Sequence, residues 1–272
     1  MNTSENGGVE IIEVVGGATR SVELQIDPTF VAIQLTDIVP NPWMAYEIAC
    51  KAIDLMIKRH TYEKVATDLG FIITDLKLLL EKERDRLARD IFHELVREKK
   101  VLFVLNIEFG YLLPDSIQVR NSRRLVRDNN DPIQRSLFEM VPEDELNEDE
   151  QNVAVHLDKQ EQFILWWDRN YSRRGYYVQG WGKERIYPDF LVGKRNPKDS
   201  EDYDKILVIE TKGRQLDNPD TTYKRSVFQL CNQLAKEWDD KLGRNDNNKR
   251  VEFYLMFHDE AQSQINKVLQ EV

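Results

Sequence analysis

An apolar run at residues 206–209 that leads into Glu210-Thr211-Lys212 constrains the fold of this chain more than any other feature. The run, Ile-Leu-Val-Ile, is short and rich in β-branched residues, which predicts a buried β-strand. Because side chains alternate between the two faces of a strand, Glu210 and Lys212 are expected to point the same way. Similar charged triplets occur elsewhere in helix-like, strongly charged stretches, at 75–77, 98–100 and 239–241.

A second carboxylate is expected beside Glu210. Pro188-Asp189-Phe190 lies in an earlier apolar segment, and a neighbouring strand would bring Asp189 next to Glu210. Two carboxylates so close repel each other, and a hard cation such as Mg²⁺ relieves the repulsion by taking their oxygens as ligands. A bound cation activates water and neutralises charge on a scissile phosphate, while Lys212 orients the water or stabilises the developing charge. The pattern predicts a one-metal or two-metal phosphodiesterase site; the simpler alternative is a Pro-Asp turn with a surface ion pair.

The order of elements around these residues predicts an α/β fold. Asn147 followed by three acids is a helix-start signature, and the apolar residues at 153, 154 and 157 keep helical spacing. Strand-like stretches and helices then follow: strands at 163–167, 176–181, 186–192 and 206–212, a helix at 222–242, a strand at 251–257 and a helix at 261–269. This succession is typical of a sheet layered between helices.

The arrangement resembles the core of the PD-(D/E)xK nucleases. More narrowly, it is similar to the C-terminal nuclease region of type III restriction enzyme restriction subunits and related helicase-nuclease proteins. The matching segments lie at 147–150, 153–154, 157–158, 166–170, 187–190 and 208–213, with weaker similarity at 39–42 and 132–139. The resemblance implies a restriction-endonuclease-like αβββαβ core, a mixed sheet between helices, in residues 131–272. A mostly helical connector in residues 1–130 would precede it.

The same resemblance implies roles for four residues of the two predicted strands. Asp189 and Glu210 would hold Mg²⁺, with Mn²⁺ as a substitute, and the carbonyl of Thr211 would be a further ligand. Lys212 would be the catalytic lysine.

A carboxylate from the preceding helix would complete this set. Glu150 occupies the matching position and would enter the metal shell or orient the lysine. Glu161 competes for the role, because it directly precedes the strand at 163–167. A plain alternative for Glu150 is a helix N-terminal acid that complements the helix dipole.

The resemblance implies a metal-dependent DNA endonuclease domain that hydrolyses phosphodiester bonds in a type III restriction-modification or related defence system. The chain contains no Gly-x-x-x-x-Gly-Lys-Ser/Thr phosphate loop, so no ATP site is expected in it. The expected partners are therefore DNA, a helicase or translocase motor, and a methyltransferase subunit. The alternative is a non-catalytic module that keeps the nuclease-like fold and docks DNA or a partner subunit.

The first half of the chain carries no catalytic constellation. Alternating patterns predict strands at 9–15, 20–26 and 30–39, and helical patterns extend over 43–100 with breaks near His60 and Gly70. A strand is predicted at 101–106.

Charge and composition bear on partners and compartment. The 38 basic and 48 acidic residues give a net charge of −10, which repels a polyanion at long range. Basic and aromatic residues nevertheless interleave at 169–185, a pattern that suits a phosphate-tracking surface. The two cysteines imply no disulfide framework, and no apolar run reaches membrane-spanning length. A cytoplasmic protein that makes no use of a membrane is expected.

Overall fold

The structure is a computed structural model that describes residues 25–101, 113, 115–119, 122–213, 218–237 and 250–271. The chain divides into two compact units between Arg84 and Asp85. The boundary expected near residue 130 from the resemblance stays a prediction.

Helices make up the described part of the first unit: α1 (Pro28–Leu35), α2 (Pro42–Arg59), α3 (Tyr62–Thr67) and the start of α4 (Leu69–Arg97). Each of the first three begins where a side-chain oxygen accepts hydrogen bonds from the exposed backbone N–H groups of the first turn. These capping residues are Asp27, Asn41 and Thr61. Apolar residues from the helices share one buried cluster, which includes Val31, Leu35, Ala45, Ala49, Ile53 and Ile73.

The strand predicted at 30–39 is wrong, because most of that segment is helix α1. Asp27 caps it and Pro28 occupies its first turn, a combination that favours a helix start over a strand. The helical prediction for 43–100 is confirmed, with breaks at His60 and just before Leu69. The strand predicted at 9–15, nearly all of 101–106 and most of 20–26 lie outside the described residues.

The second unit is an α/β layered structure. Its main elements after α4 are α5 (Glu148–Asp158), β1 (Ile164–Arg169), β2 (Phe190–Asn196), β3 (Asp199–Lys212), α6 (Pro219–Glu237), β4 (Arg250–Phe257) and α7 (His258–Gln270). The sheet has the order β1-β2-β3-β4, in which the first three strands are antiparallel and β4 runs parallel to β3. An α/β fold with a mixed sheet between helices is therefore confirmed.

Helices cover both faces of this sheet. Residues of α5 and α7 share a core cluster with Leu207 and Ile209, whereas residues of α6 share another with Val208. Glu210 and Lys212 continue the alternation of Val208, so their side chains lie on the α6 side of the sheet.

Three strand boundaries differ from the predictions. The strand predicted at 176–181 is wrong: these residues form only an isolated bridge between Val178 and Ile186, and Gly180 and Gly182 lie close to Tyr223 of α6. Strand β2 begins at Phe190, after the proline, and β3 begins at Asp199, since its polar first half pairs with β2 across a tight turn. Among the described helices, none is long and apolar enough to cross a membrane.

Candidate active site

Asp189 and Glu210 lie side by side at the ends of two paired strands. The backbone N–H of Asp189 donates to the carbonyl of Ile209 over 2.9 Å, which extends the β2–β3 ladder to the residue before Glu210. Lys212 Nζ lies 3.2 Å from Glu210 Oε1, as the shared strand face predicts. The structure therefore brings together the two carboxylates and the lysine that were predicted from the sequence.

Both carboxylate oxygens of Asp189 have donors. Oδ2 accepts from the Thr211 backbone N–H over 2.6 Å and from its hydroxyl over 2.8 Å. Oδ1 accepts from Arg169 Nη1 over 3.1 Å, and the same nitrogen also donates to the Asp189 carbonyl. Thr211 thus orients Asp189 through groups that the sequence did not single out; its carbonyl as a metal ligand stays a prediction.

Glu210 is buried, with 2% of its surface exposed. Burial and, second, the charge of Asp189 raise the pKa of its carboxyl to about 7, although neighbouring lysines oppose the rise. Its Oε2 atom is buried and has no hydrogen-bond partner within the described ranges. Buried polar atoms rarely stay unsatisfied, so Oε2 is suited to accept a proton or to bind a cation.

A second lysine reaches Glu210 from helix α6. Lys224 Nζ lies 2.8 Å from Glu210 Oε1 and 3.5 Å from Asp220 Oδ2. Burial disfavours its charge, but these carboxylates outweigh that effect and raise the pKa of Lys224. The sequence analysis did not single out Lys224. Its spacing of three from Val227, on the apolar stripe of α6, was the signal that placed it toward the sheet.

Glu150 belongs to helix α5, which covers the face of the sheet opposite α6. Both of its carboxylate oxygens accept hydrogen bonds. Oε2 accepts from the backbone N–H of Asn147 in a capping box, and Oε1 accepts from Arg169 Nη2 over 2.8 Å. Burial raises the pKa of Glu150, while Arg169 counteracts that shift. Arg169 therefore bridges Glu150 and Asp189, a role that the sequence analysis missed.

Glu161 is placed away from these groups. It precedes β1, whereas Asp189 pairs with the far end of that strand beside Arg169. Its carboxylate instead lies 3.4 Å from Arg127 and 3.9 Å from Arg135. Of the two candidate helix acids, only Glu150 shares a partner with Asp189.

Across the part of the chain that the structure describes, no group of three or more His, Cys, Asp or Glu side chains is arranged to hold a metal ion. The Arg169 guanidinium donates to one oxygen each of Glu150 and Asp189. Asp189 and Glu210 still offer the hard oxygen donors that Mg²⁺ prefers. The unpartnered Glu210 Oε2 beside the charge of Asp189 is the observation that fits a cation there.

Exposed basic residues follow β1 in the loop that leads to β2. Arg173, Arg174, Lys183 and Arg185 are exposed, and the Arg185 guanidinium lies 4.2 Å from the Tyr177 ring centroid. The remaining arginine of the predicted basic group, Arg169, is partly buried in the ion pairs described above. The loop thus presents cations and an aromatic ring near the candidate site.

Comparison of the chain with protein-family models, curated proteins and solved structures finds no match.

Proposed function

We propose that this chain is a metal-dependent endodeoxyribonuclease domain of the PD-(D/E)xK class. One observation carries the proposal: Asp189 and Glu210 meet at the ends of two paired strands beside two lysines, and one Glu210 oxygen is buried without a partner among the described residues. Such a combination costs folding stability. A site that hydrolyses phosphodiester bonds with a bound cation would require this arrangement of charged groups.

Asp189 and Glu210 would hold a Mg²⁺ or Mn²⁺ ion. When bound, the ion supplies an activated water and neutralises charge on the phosphate. Thr211 and Arg169 keep the carboxylate of Asp189 oriented. Lys212 and Lys224 place two ammonium groups against Glu210, where either can stabilise the negative charge that develops on a phosphate oxygen.

The order of elements also supports this class. Helix α5, three antiparallel strands, helix α6 and the parallel strand β4 match the αβββαβ order of the restriction-endonuclease-like core that the sequence resembles. By the same resemblance, the domain serves a type III restriction-modification or related defence system. It would act with a motor and a methyltransferase subunit that supply translocation and recognition.

Plasmid cleavage by the purified chain with Mg²⁺ or Mn²⁺ tests the proposal. Glu210→Gln keeps the shape of the side chain but removes its charge, and we expect it to abolish metal-dependent nicking. Glu201→Gln is the matched control, because Glu201 is exposed on the same strand and should leave cleavage unchanged. Equal cleavage by the wild type and Glu210→Gln would refute the assignment.

Substitutions of the two lysines are expected to have different effects on cleavage. Lys212→Met is expected to abolish cleavage while DNA binding persists. Lys224→Met removes a cation that lowers the pKa of Glu210, so cleavage should need a higher pH than in the wild type. An unchanged pH profile in Lys224→Met would exclude this role for the ion pair.

A non-catalytic docking module is the second candidate. It is favoured by the ion pairs, because Arg169 compensates Glu150 and Asp189 while the lysines compensate one oxygen of Glu210. Calorimetry with Mg²⁺ and Mn²⁺ distinguishes the two functions. Metal binding that Asp189→Asn abolishes supports the nuclease, and no metal binding together with no cleavage supports the module.

A further inference from the structure

A pocket of about 290 Å³ lies beside the candidate active site, on the side of Asp168. Its lining is mixed: Ile117, Val119 and Phe138 are apolar and Tyr171 is aromatic. The charged residues of the lining are Glu145, Asp168, Arg169 and Arg174, and Glu145 is hydrogen-bonded to Tyr171. The volume lies close to the lower end of the range for small-ligand pockets, roughly 300–1,000 Å³. It suits one small, partly apolar group.

Asp168 is the unusual residue of this pocket. Only 6% of its surface is exposed, and it belongs to the lining of the cavity. Burial raises the pKa of its carboxyl to about 7, against an opposing effect of Arg169. A carboxyl at so buried a position needs polar partners, and the cavity that it lines is where they can bind. A ligand with hydrogen-bond donors would satisfy it.

Asn170 holds in place the loop that contributes Tyr171 and Gly175 to the pocket lining. The Asn170 amide donates to the carbonyls of Tyr176 and Pro188, and its Oδ1 accepts from the Tyr176 N–H over 2.7 Å. A Cβ at Gly175 would lie 2.0 Å from that same Oδ1, so the loop closes tightly here. The aromatic ring of Tyr171 is therefore carried by a loop whose backbone is fixed.

The pocket adjoins the site through Arg169. This side chain lines the pocket and also donates to Asp189 and Glu150. Arg174, exposed and also in the lining, can meet a phosphate from the solvent side. A nucleotide next to a phosphate at Asp189 could thus reach the pocket.

We propose that the pocket binds one unstacked nucleobase of the strand held at the candidate active site, with the Asp168 carboxylate accepting a hydrogen bond from an exocyclic amino group. The apolar residues and Tyr171 contact the faces of the base, which is how extruded bases are held in other pockets. An ammonium ion would bind the carboxylate of Asp168 but make no contact with the apolar residues of the lining. This inference rests on the proposed nuclease function and deepens it, since it gives the site a preference for amino-bearing bases.

Binding of nucleotides to the wild-type chain without metal tests the pocket apart from catalysis. The probes form two matched pairs whose members differ only by an amino group: guanosine and inosine monophosphates, and adenosine and purine riboside monophosphates. At pH 8.5 Asp168 is ionised and can only accept hydrogen bonds. We expect the amino-bearing member of each pair to bind about tenfold more tightly by calorimetry, the effect of one hydrogen bond to a charged group.

Asp168→Asn is expected to remove the preference within each pair, and Glu184→Gln, an exposed acid in the same loop region, should keep it. Because the wild-type pairs are informative by themselves, misfolding of a variant leaves the test intact. Equal affinity within both pairs, or no binding of any of the four nucleotides at millimolar concentration, overturns the inference. Failure of the nuclease proposal appears separately, as absence of metal-dependent plasmid cleavage.

Discussion

Replacing Glu210 with glutamine is expected to flatten the pH dependence of the free energy of unfolding. The folded-state pKa of this buried carboxyl is about 7, above the ordinary value of 4.5. Between those two values the folded chain keeps a proton that the unfolded chain has lost, so stability falls as pH rises through this window. Above pH 7 the penalty is complete, and it amounts to about 3 kcal/mol because each pKa unit corresponds to about 1.4 kcal/mol.

Urea denaturation of both proteins at pH 5 and pH 8, without divalent metal, measures this effect. The attraction of the two neighbouring lysines is already part of the folded-state pKa of Glu210, so it adds no separate pH dependence. Asp168 has a raised pKa of about 7 as well, but it is present in both proteins and cancels. Part of the penalty is already present at pH 5, so the wild type should lose about 2–3 kcal/mol more than Glu210→Gln between the two pH values. Parallel pH dependences would refute the reasoning.

Two further pairs of substitutions test packing and buried ion pairs. Asp158→Asn breaks a buried ion pair with Arg127, whose side chains are 0% and 12% exposed, and should cost about 3–5 kcal/mol in chemical denaturation. Glu161→Gln, at the exposed end of the same network, should cost less than about 1 kcal/mol, and equal costs would contradict the role of burial. Gly193→Ala places a Cβ 2.4 Å from a tryptophan Nε1 and should cost about 1–3 kcal/mol. Gly70→Ala meets nothing within 4 Å in helix α4 and should raise stability by about 0.5–1 kcal/mol, and thermal unfolding that ranks the two glycine variants otherwise would refute the steric argument.

Local patterns predicted much of the second unit. The apolar run before Glu210 gave a strand, and its period of two gave the shared face of Glu210 and Lys212. Asn147 and Glu150 form the capping box that the helix-start signature predicts, because capping depends on residues only three apart. The error at 30–39 arose where alternation was weighed above the Asp27-Pro28 start signal.

The tertiary structure alone decided how these pieces complete a site. Which helix acid neighbours Asp189 was open in the sequence, and the pairing of β1 with β2 settled it in favour of Glu150 through their common partner Arg169. Lys224 reaches Glu210 because α6 packs on that face of the sheet.

No local pattern in the sequence predicted Asp168 as a binding residue or the pocket that it lines. A sequence period states which residues of one element share a face, since that depends on backbone geometry within the element. The period of one element does not state which face of another element packs against it. The ion pairs and the cavity depend on how β1, β2, β3 and α6 pack together, and that packing is what turned separate charged residues into a candidate site.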